Sequence, residues 1–160
     1  MILIRHGDKA YKNNAEVPYR LDSPLTKKGK WRARCTCLNL LGSYPPPKRL
    51  IVSPYLRTRE TANMFRKMLE KNGINVTIIE SVLVSECLVF QKKPITPQDF
   101  RVKTQYIIEI SLEEYSERVA NASSFLEEGD WVITHGFFIT ELAKQRGVKK
   151  TFGFCDYFVI

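Results

Sequence analysis

Short apolar runs alternate along the chain with longer stretches in which apolar residues recur at helical spacing. The runs lie at residues 2–4, 50–52, 76–79, 131–133 and 157–160, and their length and β-branched content are typical of strands. Four helical stretches lie between these runs. Because strands alternate with helices, the pattern predicts an α/β fold, a three-layer αβα sandwich with a mainly parallel sheet.

The first predicted helix begins after Thr26, a residue type that caps helix N-termini, and it ends at Gly42. Apolar residues follow one another at helical spacing along this stretch, and we expect them to form its buried side. They are Trp31, Cys35, Leu38 and Leu41.

The other three helices carry similar signals. The second stops at Asn72-Gly73, the third follows a capping-box pattern at residues 111–114, and the fourth spans residues 137–146. Residues 80–101 have no clear period and are predicted to be a long loop, followed by a short extra strand at residues 106–108.

Length and composition narrow the class of protein. The chain has 160 residues, enough for a single domain over residues 1–160. It has no apolar run of membrane-spanning length and no signal-peptide pattern, so we expect a cytoplasmic protein that does not bind a membrane. The net charge of +8 favours anionic partners, namely phosphorylated small molecules, phosphoproteins or nucleic acid, without choosing among them.

The cysteines give no sign of a disulfide framework or a metal site. Cys35, Cys37, Cys87 and Cys155 are few and scattered, and none of their spacings is a usual zinc spacing. We therefore expect reduced thiols. No group of His, Cys, Asp and Glu has ligand spacing along the sequence, so neither a metal nor another cofactor is expected.

The chain contains two histidines, and both follow predicted strands. His6 ends the first strand and His135 ends the fourth, and each is followed by glycine. Because ligands bind outside the carboxyl ends of strands in an open parallel sheet, we expect the two imidazoles to share a site. A core histidine would explain either residue alone, but it explains the pair poorly.

Arginines are predicted at the same edge of the sheet. Arg5 precedes His6, while Arg57 and Arg59 fall in the first turn of the helix after the second strand. Guanidinium groups bind phosphate with two parallel hydrogen bonds, and a helix N-terminus adds partial positive charge. The pattern predicts a phosphate pocket that needs no metal.

These residues resemble the histidine phosphatase superfamily, the phosphoglycerate-mutase-like proteins. Residues 3–7 (LIRHG) are similar to its signature, and three further segments match in order and spacing. They are residues 22–29 (DSPLTKKG), 53–62 (SPYLRTRETA) and 132–136 (VITHG). The resemblance covers the chain except for a short loop insertion at about residues 87–110.

The resemblance implies a phosphatase that acts through a covalent phosphohistidine. His6 would be the nucleophile, and Arg5, Arg57 and His135 would hold the phosphate oxygens. Glu86 matches the family's acid. Asp8 is the alternative acid because it lies beside His6 in the sequence.

Three further basic residues would extend the pocket if they faced it: Lys9, Arg20 and Arg59. Two rival functions stay open. A phosphoglycerate-type mutase is disfavoured by the short insertion, and a catalytically idle phosphate-pocket module has no need of a nucleophile. The expected partner is a phosphorylated small molecule or phosphoprotein, with nucleic acid disfavoured; the oligomeric state is not predicted.

Overall fold

The computed structural model describes residues 1–10, 22–88 and 111–160. The strands are β1 (Ile2–Arg5), β2 (Arg49–Val52), β3 (Thr77–Glu80), β4 (Asp130–Thr134) and β5 (Tyr157–Val159). The helices are α1 (Lys27–Ser43), α2 (Leu56–Lys71), α3 (Leu112–Phe125) and α4 (Gly136–Gln145), and a 3-10 turn covers Val82–Val84.

The strands form one sheet in the order β3-β2-β4-β1-β5. Among the described strands, β1 to β4 are parallel, and β5 runs antiparallel beside β1. Arg5 of β1 pairs with Thr134 of β4, so the residues that follow these strands emerge side by side. The sheet therefore brings His6 and His135 to one edge, and the prediction of an α/β fold with a mainly parallel sheet is confirmed.

Helices cover both faces of the sheet because alternate strand residues point to opposite sides. Ile2 and Ile4 pack in the core under α1 and α2, whereas Leu3 between them packs under α3 and α4. Trp131 and Val132 of β4 alternate in the same way. These two apolar cores are the two interfaces of a three-layer sandwich.

The predicted buried side of α1 was wrong. The helix buries Gly29, Ala33, Cys37 and Leu40. Trp31 is 62% exposed and Leu38 is 45% exposed. The side of α1 with small residues can pack closely against the rest of the protein. This close packing outweighs the burial of the larger side chains on the opposite side of the helix. α1 also continues past Gly42 to Ser43.

The other predicted elements in the described part of the chain are confirmed within a few residues. Thr26 caps α1 by accepting a hydrogen bond from the backbone N–H of Gly29, and Ser111 caps α3 by accepting one from Glu114. α3 stops at Phe125, earlier than the predicted end at Gly129. The predicted strand at 106–108 and most of the predicted insertion lie outside the described residues.

All four cysteines are free thiols, as expected. Among the described residues, no helix combines the length and apolar character needed to cross a membrane.

Candidate active site

His6 lies directly after β1 and is almost fully buried, with 2% of its surface exposed. Its Nδ1 is 2.7 Å from the carbonyl oxygen of Gly7, which fixes the proton on Nδ1 and leaves a lone pair on Nε2. Burial, aided by the charge of Arg57, lowers the pKa of His6 well below 6.5. The ring is therefore neutral at pH 7, and its Nε2 is available as a nucleophile.

Arg57, in the first turn of α2, lies at the centre of the cluster. Its Nε donates to Nε2 of His6 at 3.1 Å. Its Nη2 lies 3.1 Å from Nδ1 of His135 and 3.4 Å from the Glu86 carboxylate. The guanidinium thus joins residues from three separate segments, and its exposure is only 2%.

His135 follows β4 and is fully buried. Its Nε2 is 2.8 Å from Oγ of Ser53, which follows β2, and the ring packs edge-on against Tyr55 with centroids 5.0 Å apart. The centroids of the His6 and His135 rings are 5.3 Å apart. Burial lowers the pKa of His135 to about 4, although the adjacent Glu86 carboxylate opposes the shift.

Glu86 follows the 3-10 turn and reaches the same pocket. Its Oε2 lies 3.4 Å from Nδ1 of His135, while its Oε1 is buried without a hydrogen-bond partner among the described residues. Burial alone would raise the pKa of Glu86, but the neighbouring His135, Arg57 and Lys9 lower it to about 2. The carboxyl group is therefore ionised at pH 7.

Arg5 lies at the rim of this cluster. Its Nη1 donates to the carbonyl oxygen of Phe152, and its guanidinium carbon lies 4.4 Å from the centre of the Phe154 ring. Its Nε is buried and has no hydrogen-bond partner in the described part of the chain. A Cβ at Gly136 would come within 3.1 Å of this guanidinium, so glycine leaves room for it.

The remaining predicted residues are placed differently. Asp8 forms an ion pair with Arg32 of α1 at 3.1 Å. Arg59 pairs with Glu80 at 2.6 Å near the surface, outside the cluster. Burial lowers the pKa of Lys9, as does the charge of Arg57, which places Lys9 within electrostatic range of the pocket. Arg20 lies outside the described residues.

The family comparison agrees with this geometry. The model of the histidine phosphatase superfamily (branch 1) matches residues 1–82, just over half of the 160 residues. The chain belongs to the histidine phosphatase superfamily. The predictions of the family and of a phosphatase-type enzyme are thereby confirmed. No curated protein sequence matches the chain.

Solved structures of phosphatases share the fold of this superfamily member. The protein histidine phosphatase SixA, solved with tungstate, is 19% identical, with a TM-score of 0.60; the match covers 96% of this chain and 82% of that one. A mycobacterial glucosyl-3-phosphoglycerate phosphatase is 13% identical, with a TM-score of 0.63 over 98% of this chain and 87% of that one. At these identities the similarity establishes the fold.

The fold brings together a set of possible metal ligands that spacing along the sequence does not show. The sequence shows no cluster with ligand spacing, yet the fold brings ligand atoms of His6, Glu86 and His135 within 4.8 Å of one another. Such a set has the donor types of a metal site. The Arg57 guanidinium lies within hydrogen-bond distance of all three residues and places a positive charge beside them.

Sequence reasoning missed several residues that hold the cluster together. Thr61 of α2 accepts a hydrogen bond from the backbone N–H of Gly7 at 3.1 Å, and the buried Asp22 carboxylate accepts one from the N–H of Leu56 at the start of α2. Asp22 and Thr61 both lie in segments that resemble the family, and this resemblance was the only feature of the sequence that pointed to a role at the site. Arg118 was also missed, although a cation on the apolar side of α3 is unusual.

Proposed function

We propose that the protein is a metal-independent phosphomonoester phosphatase that forms a covalent phosphohistidine on His6. The observation that carries the proposal is the buried hydrogen-bonded cluster of Arg57 with His6 and His135. It combines a neutral imidazole nucleophile with fixed donors for a phosphate. Because the donors are in place before substrate arrives, no reorganisation is needed when charge develops.

In the first step, Nε2 of His6 attacks phosphorus opposite the leaving oxygen, and the P–O bond breaks as the P–N bond forms. The Nδ1–H of His6 remains bound to the Gly7 carbonyl, which stabilises the positive charge that the ring gains. When the phosphate binds, its oxygens accept the hydrogen bonds that Arg57 gives to the histidine nitrogens. The buried Nε of Arg5 is a further donor.

Glu86 supplies the proton that the leaving oxygen requires. Its low pKa would by itself make it a poor proton donor. A bound phosphate dianion, however, balances the charge of Arg57 and places negative charge beside the carboxylate, and both effects raise the proton affinity of Glu86. After the alcohol leaves, the carboxylate accepts a proton from the water that attacks phosphorus, and the P–N bond breaks to release inorganic phosphate.

Asp8 is less suited to this role because it is already paired. Arg32 donates to both Asp8 carboxylate oxygens, at 3.2 and 3.1 Å. Glu86, in contrast, contacts Arg57 and His135, two residues of the cluster that also contact each other. The substrate is a phosphorylated small molecule or phosphoprotein, as the basic pocket and the net charge of +8 favour.

A chelator experiment tests the metal-free mechanism. The hydrolysis of p-nitrophenyl phosphate should survive dialysis against EDTA, because Arg57 supplies the positive charge. His6→Ala should abolish turnover. Arg59→Met, which removes a half-buried arginine from α2, the helix that carries Arg57, should leave turnover near wild type. Loss of activity in EDTA with recovery on adding a divalent ion would contradict the proposal, and net isomerisation of a phosphoglycerate without hydrolysis would favour a mutase.

A further inference from the structure

Arg118 is a buried cation on the side of α3 that faces the sheet. Only 6% of its surface is exposed, and it lies on the helix between the buried residues Tyr115 and Val119. Removing a guanidinium from water is unfavourable unless its donors are satisfied. The position therefore calls for a specific set of acceptors.

The acceptors of Arg118 belong to the segment that carries Glu86. Nη1 donates to the carbonyl oxygens of Leu83 at 2.7 Å and Ser85 at 3.3 Å, and Nη2 donates to that of Glu86 at 3.4 Å. A planar guanidinium can bridge neighbouring carbonyls in this way because its donors point in fixed directions. One side chain from α3 thus holds the backbone of the last turn before the Glu86 carboxylate.

A second contact holds the same segment from the sheet. Oγ1 of Thr134, the last residue of β4, donates to the carbonyl oxygen of Val84 at 2.6 Å. Thr134 immediately precedes His135. The segment from Leu83 to Glu86 is therefore tied to α3 through Arg118 and to the strand that delivers His135 through Thr134.

The Glu86 carboxylate depends on this backbone for its position. Its two contacts within the cluster, to Arg57 and His135, are both 3.4 Å long, and its Oε1 has no hydrogen-bond partner among the described residues. Such contacts are too long to fix a side chain by themselves. Proton transfer to a leaving oxygen requires close approach, and displacement by about 1 Å can cost roughly 100-fold in rate.

We infer that Arg118 is a positioning residue, which holds the backbone of Glu86 so that the carboxylate can protonate the leaving group. The inference rests on the proposed function of Glu86 as the general acid. It assigns Arg118 no contact with the substrate. The effect of replacing Arg118 on kcat/KM should therefore depend on how much protonation the leaving group needs. Replacing a residue that only stabilises the fold would lower kcat/KM for all substrates alike.

The test compares kcat/KM for an alkyl phosphate, which needs a proton on its leaving oxygen, with kcat/KM for p-nitrophenyl phosphate, which does not. Arg118→Met should lower the ratio of alkyl to p-nitrophenyl kcat/KM by roughly 10- to 100-fold. Arg118→Lys keeps the charge and part of the donor set, so its ratio should be intermediate; it also serves if the Met variant fails to fold. Arg118→Met in a Glu86→Gln background should change the ratio no further.

Arg49→Met is the matched control. Arg49 also contacts another segment through its guanidinium, in this case the Asp130 carboxylate at 2.6 Å, but it lies at the opposite ends of the strands, at the start of β2. Its loss should lower stability without changing the ratio. An unchanged ratio in the Arg118 variants, with a lowered ratio in Glu86→Gln, would overturn the inference alone. An unchanged ratio in Glu86→Gln would overturn the acid role of Glu86, and the inference with it.

Discussion

Arg57 is the residue on which the proposed phosphate pocket depends most. Its guanidinium contacts His6 and His135 through different nitrogens, at 3.1 Å in each case. A lysine ammonium cannot make two directed contacts of this kind because it is a point charge on a flexible stem. We therefore expect Arg57→Lys to reduce kcat/KM for p-nitrophenyl phosphate roughly 100-fold while the far-ultraviolet circular dichroism spectrum is unchanged.

Arg59→Lys is the control for this prediction, because Arg59 is in the same helix turn but pairs with Glu80 near the surface. It should stay within about two-fold of wild type. Near-normal activity of Arg57→Lys would show that Arg57 does not hold the phosphate through paired hydrogen bonds.

The two candidate acids differ at the residue scale in a way that kinetics can separate. Glu86→Gln should slow the hydrolysis of the phosphoenzyme, because the amide cannot accept a proton from water. The variant should then release p-nitrophenolate in a burst of about one equivalent before a slow steady state. Asp8→Asn should show no burst, since Asp8 pairs with Arg32 instead of facing the cluster. A burst in Asp8→Asn and none in Glu86→Gln would show that Asp8, and not Glu86, is the acid.

At the scale of elements, α1 is held against the turn after β1 by a close approach of two glycines. A Cβ at Gly29 would lie 2.4 Å from the carbonyl oxygen of Asp8, and a Cβ at Gly7 would lie 2.7 Å from that of Gly29. The obstacle in both cases is backbone, which cannot move aside without displacing His6. This contact explains why the small-residue side of α1 is the buried one.

Alanine substitutions in α1 should therefore have opposite effects at its two ends. Gly29→Ala should lower the free energy of unfolding by roughly 1–3 kcal/mol because of the clash, although alanine favours helix. Gly42→Ala, with nothing within 4 Å of its Cβ, should raise it by roughly 0.5–1 kcal/mol. Urea unfolding measures both values. Equal effects of the two substitutions would contradict the close-approach account.

The sequence predicted strands and their ends well because short apolar runs and turn residues are local signals. Position at a strand end was enough to bring His6 and His135 to the same edge. Which side of α1 is buried could not be predicted from hydrophobicity, since it is set by backbone contact at Gly29. Likewise, no local pattern shows that Arg118 reaches residues 32 to 35 positions earlier in the chain.

The whole molecule should lose stability on mild acidification. The chain has only two histidines, and burial lowers the pKa of both, in His135 to about 4. In the unfolded chain both titrate near 6.5. As the pH falls below about 6.5, the unfolded state binds protons that the folded state does not, so the free energy of unfolding decreases.

We expect a decrease of up to roughly 1.4 kcal/mol per pH unit for each histidine as the pH falls below about 6.5, and for His135 this loss continues to about pH 4. Glu86, with its pKa lowered to about 2, extends the loss at lower pH, because its stabilising contribution disappears as it becomes protonated. Urea midpoints measured from about pH 7 to pH 5 test the histidine part. His135→Gln should flatten the dependence, whereas a flat wild-type curve would show that the histidines titrate normally in the fold.

The most direct test of the proposed reaction is to trap the phosphoenzyme. Brief incubation with a radiolabelled phosphomonoester, an alkaline quench and peptide mapping should place label on His6, because a phosphoramidate on imidazole survives alkali and is lost in acid. Glu86→Gln should accumulate more of this label than wild type, and His6→Ala should hold none. Label that is stable to acid, or that persists in His6→Ala, would contradict a covalent intermediate on His6.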